Sequence, residues 1–128
     1  MSKIFLLVGI GGFIGSIARF AISLGFSKFV YLNFPFGTFT VNIIGSFLIG
    51  IIYGVSDKYS WFSNDWRIFL TIGFCGGFTT FSTFALESAG LFSGGHASAG
   101  GVYVALTLIS GIICVYLGEL AAGFILGK

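Results

Sequence analysis

Apolar residues run along this chain in four long blocks, separated by three short segments richer in polar residues and glycine. The blocks predict helices over Ile4–Leu24, Gly37–Val55, Trp66–Phe92 and Gly100–Leu126. Each is close to or above the ~20 residues a helix needs to cross the hydrocarbon core of a bilayer. The segment "NFPFG" holds the only proline, Pro35, and predicts a turn ahead of the second helix. The segment "SDKYSWFSNDW" carries most of the loop charge, and its Tyr59, Trp61 and Trp66 suit the boundary between lipid and water. The segment "SGGHASAGG" is small and flexible. His96 within it has no second ligand for company and reads as a solvated side chain rather than a metal ligand.

Inside the blocks, small residues recur at every fourth position. Gly11, Gly15 and Arg19 follow one another in the first helix, and Gly12 and Ser16 repeat the spacing. Asn42, Ser46, Gly50 and Gly54 form a continuous stripe in the second, and Ser110, Cys114, Gly118 and Ala122 do so in the fourth. Such stripes let helix backbones approach closely within a membrane. Close-packing faces on three of four helices imply more partners than one short bundle supplies, so a homo-oligomer is expected, most simply a dimer.

Composition agrees with the pattern. Of 128 residues, 56% are hydrophobic and 8% charged. A soluble domain has about 25% charged residues. The expected class is therefore an all-α integral membrane protein, a single domain over residues 1–128, in contact with the lipid bilayer. A net charge of +2 is too small to suggest a nucleic-acid partner. The two cysteines, Cys75 and Cys114, lie within apolar blocks and read as small packing residues rather than a disulfide. No A-x-A-like site follows the first block, so no cleaved signal is expected. Four spans put both termini on one side. Lys3, Lys58 and Lys128 would share that side and Lys28 would lie opposite, with Arg67 at the boundary. That bias is weak, and it permits insertion in either orientation.

Polar groups inside the blocks carry the candidate chemistry. Arg19 lies in the latter half of the first helix, Glu87 past the middle of the third and Glu119 in the fourth. Arg19 and Glu119 could reach the interface from near helix ends, and an arginine at a pore mouth would also concentrate anions. Asn42, on the stripe of the second helix, could form an interhelical hydrogen bond or meet a ligand with its amide. Tyr103, Thr107 and Ser110 put three hydroxyls on one face of the fourth helix, which reads as a polar track.

The stretch "GFCGGFTTFSTF" concentrates these signals. Gly76 and Gly77 sit mid-span, where unwinding would expose carbonyl oxygens able to hold a cation. Such a break at membrane depth requires burial in protein or a water-filled cavity. Beyond it, Phe81 and Phe84 fall on one helix face. A benzene ring is negative on its face and positive at its edge, so two rings edge-on could touch a small anion. Ordinary packing is the alternative for the same two rings.

Three motifs now resemble one family. "GGFIGSIAR", "GTFTVNIIGSFLIG" and "GFCGGFTTFSTF" occur in the order found in the Fluc (CrcB-type) fluoride channels, and the similarity covers essentially the whole chain. The resemblance implies an antiparallel, dual-topology homodimer with two pores, which exports cytoplasmic fluoride passively across the cell inner (plasma) membrane of a prokaryote. It implies that Asn42 gives its amide to the ion, that Phe81 and Phe84 supply ring edges, and that Ser82, Thr83, Tyr103, Thr107 and Ser110 form the polar track. It implies that Arg19 sits near a vestibule, and that main-chain carbonyls of Gly76 and Thr79 from both subunits hold a structural Na+ at the dimer centre. Gly111 stands where some relatives carry a hydroxyl, so the resemblance leaves the end of the track open.

Three other readings fit four short spans. A small proton-coupled multidrug exporter needs a deep carboxylate; the first helix carries Arg19 and no carboxylate, which counts against it, and Glu87 keeps the reading open. A cation channel would use the carbonyls of the glycine break, and an assembly subunit would transport nothing. The chain shows no nucleophile–base pair, metal cluster or phosphate loop, so an enzyme is not expected.

Overall fold

The computed structural model describes residues 1–127; Lys128, grouped above with Lys3 and Lys58, lies outside the described residues. Helix α1 is Ser2–Phe26 and α2 is Phe36–Lys58. The third span starts with Asn64–Ile68, continues through a wider π-helical stretch, Phe69–Cys75, and closes with one turn, Gly76–Phe78; residues 64–78 together are called α3. After two extended residues come α4, Phe81–Ser93, and α5, Ala97–Ile125. Four helical stretches, Ser2–Phe26, Phe36–Lys58, Asn64–Ser93 and Ala97–Ile125, are long and apolar enough to span a membrane. They match the predicted blocks to within three residues at every end. With these helices the chain is a multi-pass membrane protein.

The helices pair alternately, α1 with α3 and α2 with α5. Glycine makes both pairings possible. A Cβ added at Gly11 would lie 2.9 Å from the Phe74 nitrogen and 3.0 Å from Gly73 Cα. One added at Gly50 would lie 3.1 Å from Gly118 Cα, and one at Gly54 would lie 2.8 Å from Ala122 Cβ. These separations are below van der Waals contact, so the two seams close only because side chains are missing. Contacts advance in the same direction along both helices of the second seam, from Gly50 on Gly118 to Gly54 on Ala122, so α2 and α5 run parallel.

Helix ends are set by the connecting segments. Pro35 stands just before α2, where its missing N–H is harmless. The Ser63 hydroxyl accepts from the Trp66 N–H at 3.3 Å and starts α3. At the same end of the bundle Lys3 pairs with Asp65 at 2.5 Å, and Arg67 lies 3.8 Å from Asp57 and 4.5 Å from the Tyr53 ring centre. Exposed pairs of this kind contribute little stability but fix which ends are neighbours.

Candidate functional site

The regular helix stops at Thr79 and Thr80. Thr79 has φ −86° and ψ 162°, and Thr80 has φ −149° and ψ 122°. The break expected over Gly76–Thr79 lies at the far end of that stretch: Gly76 and Gly77 are helical, Gly76 with φ −62° and ψ −38°, and Thr79 is the first extended residue. The reason is packing. A Cβ at Gly77 would lie 2.9 Å from Gly12 Cα, so this glycine serves the seam with α1 rather than backbone freedom. Two threonines take the extended conformation instead, as β-branched residues do readily.

An interrupted helix leaves backbone groups without their usual partners. The side chains around the interruption supply most of them. In a continuous helix the Thr80 N–H would bond to the Gly76 carbonyl. Here it donates to Asn42 Oδ1 at 2.8 Å, while Asn42 Nδ2 donates to the Thr80 carbonyl at 3.0 Å. The amide of Asn42 thus pairs with both polar groups of one residue, as a neighbouring strand would. Arg19 Nε donates to the Gly77 carbonyl at 3.0 Å, and Ser16 Oγ reaches the same oxygen at 3.5 Å. The Arg19 charge therefore lies at the carbonyl end of α3, where the helix dipole favours a cation. The Thr80 hydroxyl accepts from the Thr83 N–H at 3.2 Å and caps α4.

Beside the interruption is an open groove of about 390 Å³. Asn42, Thr79, Thr80, Phe81, Phe84 and Thr107 line it, with Gly76 at one side. The Thr107 hydroxyl oxygen is buried and has no hydrogen-bond partner among the described residues. The rings of Phe81 and Phe84 lie 5.9 Å apart at 53°. Phe84 is 7% exposed and meets the Tyr103 ring at 5.1 Å, whereas Phe81 is 77% exposed. A phenyl ring so exposed at the edge of the groove leaves one wall open.

The structure gathers only part of the residue set. Asn42, Phe81, Phe84, Thr107, Gly76 and Thr79 meet at the groove, and Ser82, Thr83, Tyr103 and Ser110 do not line it. Ser82 is exposed. The Thr83 hydroxyl accepts from the Thr80 hydroxyl at 3.1 Å. Ser110 donates back to the Leu106 carbonyl of its own helix. Tyr103 is fully buried, and its hydroxyl donates to Glu87 Oε2 at 3.3 Å, while the Thr38 hydroxyl donates to Glu87 Oε1. Thr38 and Thr80 were not singled out by the sequence. Thr38 lies one turn before Asn42, so extending the stripe of the second helix by four residues reaches it.

A family model, CrcB-like protein, Camphor Resistance (CrcB), matches residues 6–119. The chain belongs to the CrcB family. A relative from Azobacteroides pseudotrichonymphae genomovar. CFP2, named fluoride-specific ion channel FluC, is 44% identical over 124 residues, 97% of this chain and 98% of its own. A protein of the same name from Chlorobaculum tepidum is 48% identical over 117 residues, 91% of this chain and 92% of its own. Another from Leptospira interrogans is 42% identical over 117 residues with the same coverage. These CrcB-family relatives are named as ion channels and not as enzymes.

Proposed function

We propose that this chain is a fluoride-selective channel that lets cytoplasmic fluoride leave the cell down its electrochemical gradient. The observation that carries the reading is whole-length similarity to relatives named fluoride-specific ion channels. The groove at the interruption supports it chemically. Fluoride is small and strongly hydrated, so a path must replace its water with donors at each step while holding it weakly. A primary amide has two N–H donors. Thr80 takes one from Asn42, and the other remains for an anion. The partnerless Thr107 hydroxyl and the ring edges of Phe81 and Phe84 add weak contacts. Arg19 is engaged by the Gly77 carbonyl and so keeps its charge off the narrow path.

The path is incomplete in one chain. Phe81 is exposed, and two of the five proposed track hydroxyls, Tyr103 and Ser110, give their protons to other groups within the chain. A second copy, packed antiparallel, would close the groove and create two equivalent pores. The weak charge bias of the loops supports insertion in both orientations. In a prokaryotic plasma membrane a negative interior would drive the anion outward with ~2.3 kcal/mol per 100 mV.

A structural Na+ fits the carbonyl end of α3. Sodium is a hard cation that takes oxygen ligands, and the Thr80 N–H has been withdrawn from the Gly76 carbonyl by Asn42. Gly76 and Thr79 of two copies would supply the main-chain oxygens. The ion would add to Arg19 in offsetting the dipole of the half-helix and would hold the two interruptions together.

Efflux from liposomes containing the purified protein tests the function. Fluoride efflux with at least tenfold slower chloride efflux is expected. Proton-coupled drug uptake, Na+ conduction or no flux at all would each replace the proposal with one of its rivals, and comparable chloride efflux would overturn its fluoride selectivity.

A further inference from the structure

A second groove, of about 750 Å³, opens where the loop before α2 meets the start of α5. Phe36, Phe39, Val102 and Leu106 contribute its apolar walls, and Asn33 and His96 lie at its loop end. Asn33 Nδ2 is 3.4 Å from His96 Nδ1, which ties the two loops together across the top. The chain reaches this point through Leu32 and Asn33, both in the left-handed region at φ 55° and 59°. A leucine is rarely found there, and the turn leaves Val30 and Leu32 77% and 70% exposed beside the groove.

We propose that this groove binds one phospholipid, with its phosphate level with Asn33 and His96 and one acyl chain lying along Phe39, Val102 and Leu106. Depth supports a lipid. From Ala97, where α5 begins, to Leu106 is nine residues, or about 14 Å at 1.5 Å per residue. That is about half of a ~30 Å hydrocarbon core, the thickness of one leaflet. The polarity changes in the same sense, with side-chain amide and imidazole at the loop end and only hydrocarbon below. The groove is also continuous with an exposed apolar strip, because Val102, Leu106, Ile109 and Ile113 are all exposed along one side of α5. The pathway groove uses the other side of this helix. Val102 and Gly111 are nine residues apart, half a turn out of phase at about 100° per residue. A lipid can therefore occupy the second groove while the pathway face meets a partner copy.

The test is native mass spectrometry of detergent-purified protein loaded from palmitoyl-oleoyl phosphatidylglycerol vesicles and then washed stepwise with detergent. One lipid per chain is expected to remain after the others have been stripped. Val102→Trp, which fills the groove, is expected to reduce that retention at least tenfold. Ile113→Trp, equally placed on α5 but outside the groove, is expected to leave it unchanged. Loss of all lipid together from the unmodified protein overturns the proposal, as does equal retention by Val102→Trp. A Val102→Trp variant that keeps its lipid but falls from oligomer to single chain assigns the groove to a second copy and also overturns it. If Val102→Trp does not fold, Val102→Phe is read in the same way, and the stripping profile of the unmodified protein still decides.

Discussion

The two halves of the third span do opposite things with the same membrane. Residues 64–78 press their backbone against α1, with Gly73 and Gly77 facing Gly11 and Gly12. Helix α4, beyond the interruption, touches its neighbours through side chains: Phe84 meets Tyr103, and Glu87 accepts from Thr38 and Tyr103. The first half is a fixed surface made by removing side chains. The second half displays side chains that can meet an ion or a partner. The two extended threonines between them let one span change its manner of contact within two residues.

The contrast makes added bulk in the seam between α1 and the first half ruinous. Gly15→Val places a branched side chain where even a Cβ lies 2.9 Å from the Phe78 nitrogen. Several kcal/mol of overpacking is expected at a backbone that cannot yield, ~3 kcal/mol or more. Size-exclusion chromatography should show no monodisperse protein; a normal profile would contradict the steric account of α3.

The junction should come next. Asn42→Ala leaves the part-buried Thr80 N–H and carbonyl without their partners, at ~1 kcal/mol for each lost hydrogen bond. Fluoride efflux should slow more than tenfold and thermal stability should fall together with it. A variant with lost flux and unaltered stability would mean that Asn42 serves the ion alone. Phe81→Ile separates these effects from the other side. Phe81 is exposed within one chain, so efflux should fall at least tenfold while the chain's own unfolding temperature holds. Unchanged efflux would remove this ring from the path.

Smaller effects belong to α4. Thr38→Val removes one donor from Glu87 but leaves that of Tyr103, and ~1 kcal/mol of stability should be lost. Gly90→Ala should be neutral or stabilising by up to ~1 kcal/mol, because nothing lies within 4 Å of a Cβ there. Substantial destabilisation by Gly90→Ala would show that α4 depends on close packing as α3 does, and the contrast would fail. Both are read by thermal unfolding in detergent.

The sequence alone carried much of this. Four spans followed from block length and composition, since a bilayer demands long apolar helices and short loops. Small-residue stripes announced close seams, because helical periodicity puts every fourth residue on nearly one face. Arg19, Asn42 and Glu87 stood out because charge and amide are expensive in hydrocarbon. Partners were a different matter. Asn42 meets Thr80 across 38 positions, Thr38 meets Glu87 across 49 and Arg19 meets Gly77 across 58. Local pattern ranks residues by burial and face, but it holds no record of which faces meet. Only the tertiary structure decided that α1 pairs with α3 and α2 with α5, and that Gly77 serves a seam while Thr79 and Thr80 interrupt the helix. Glycine permits both close approach and unwinding, and the backbone opposite Gly77 is what selects between them.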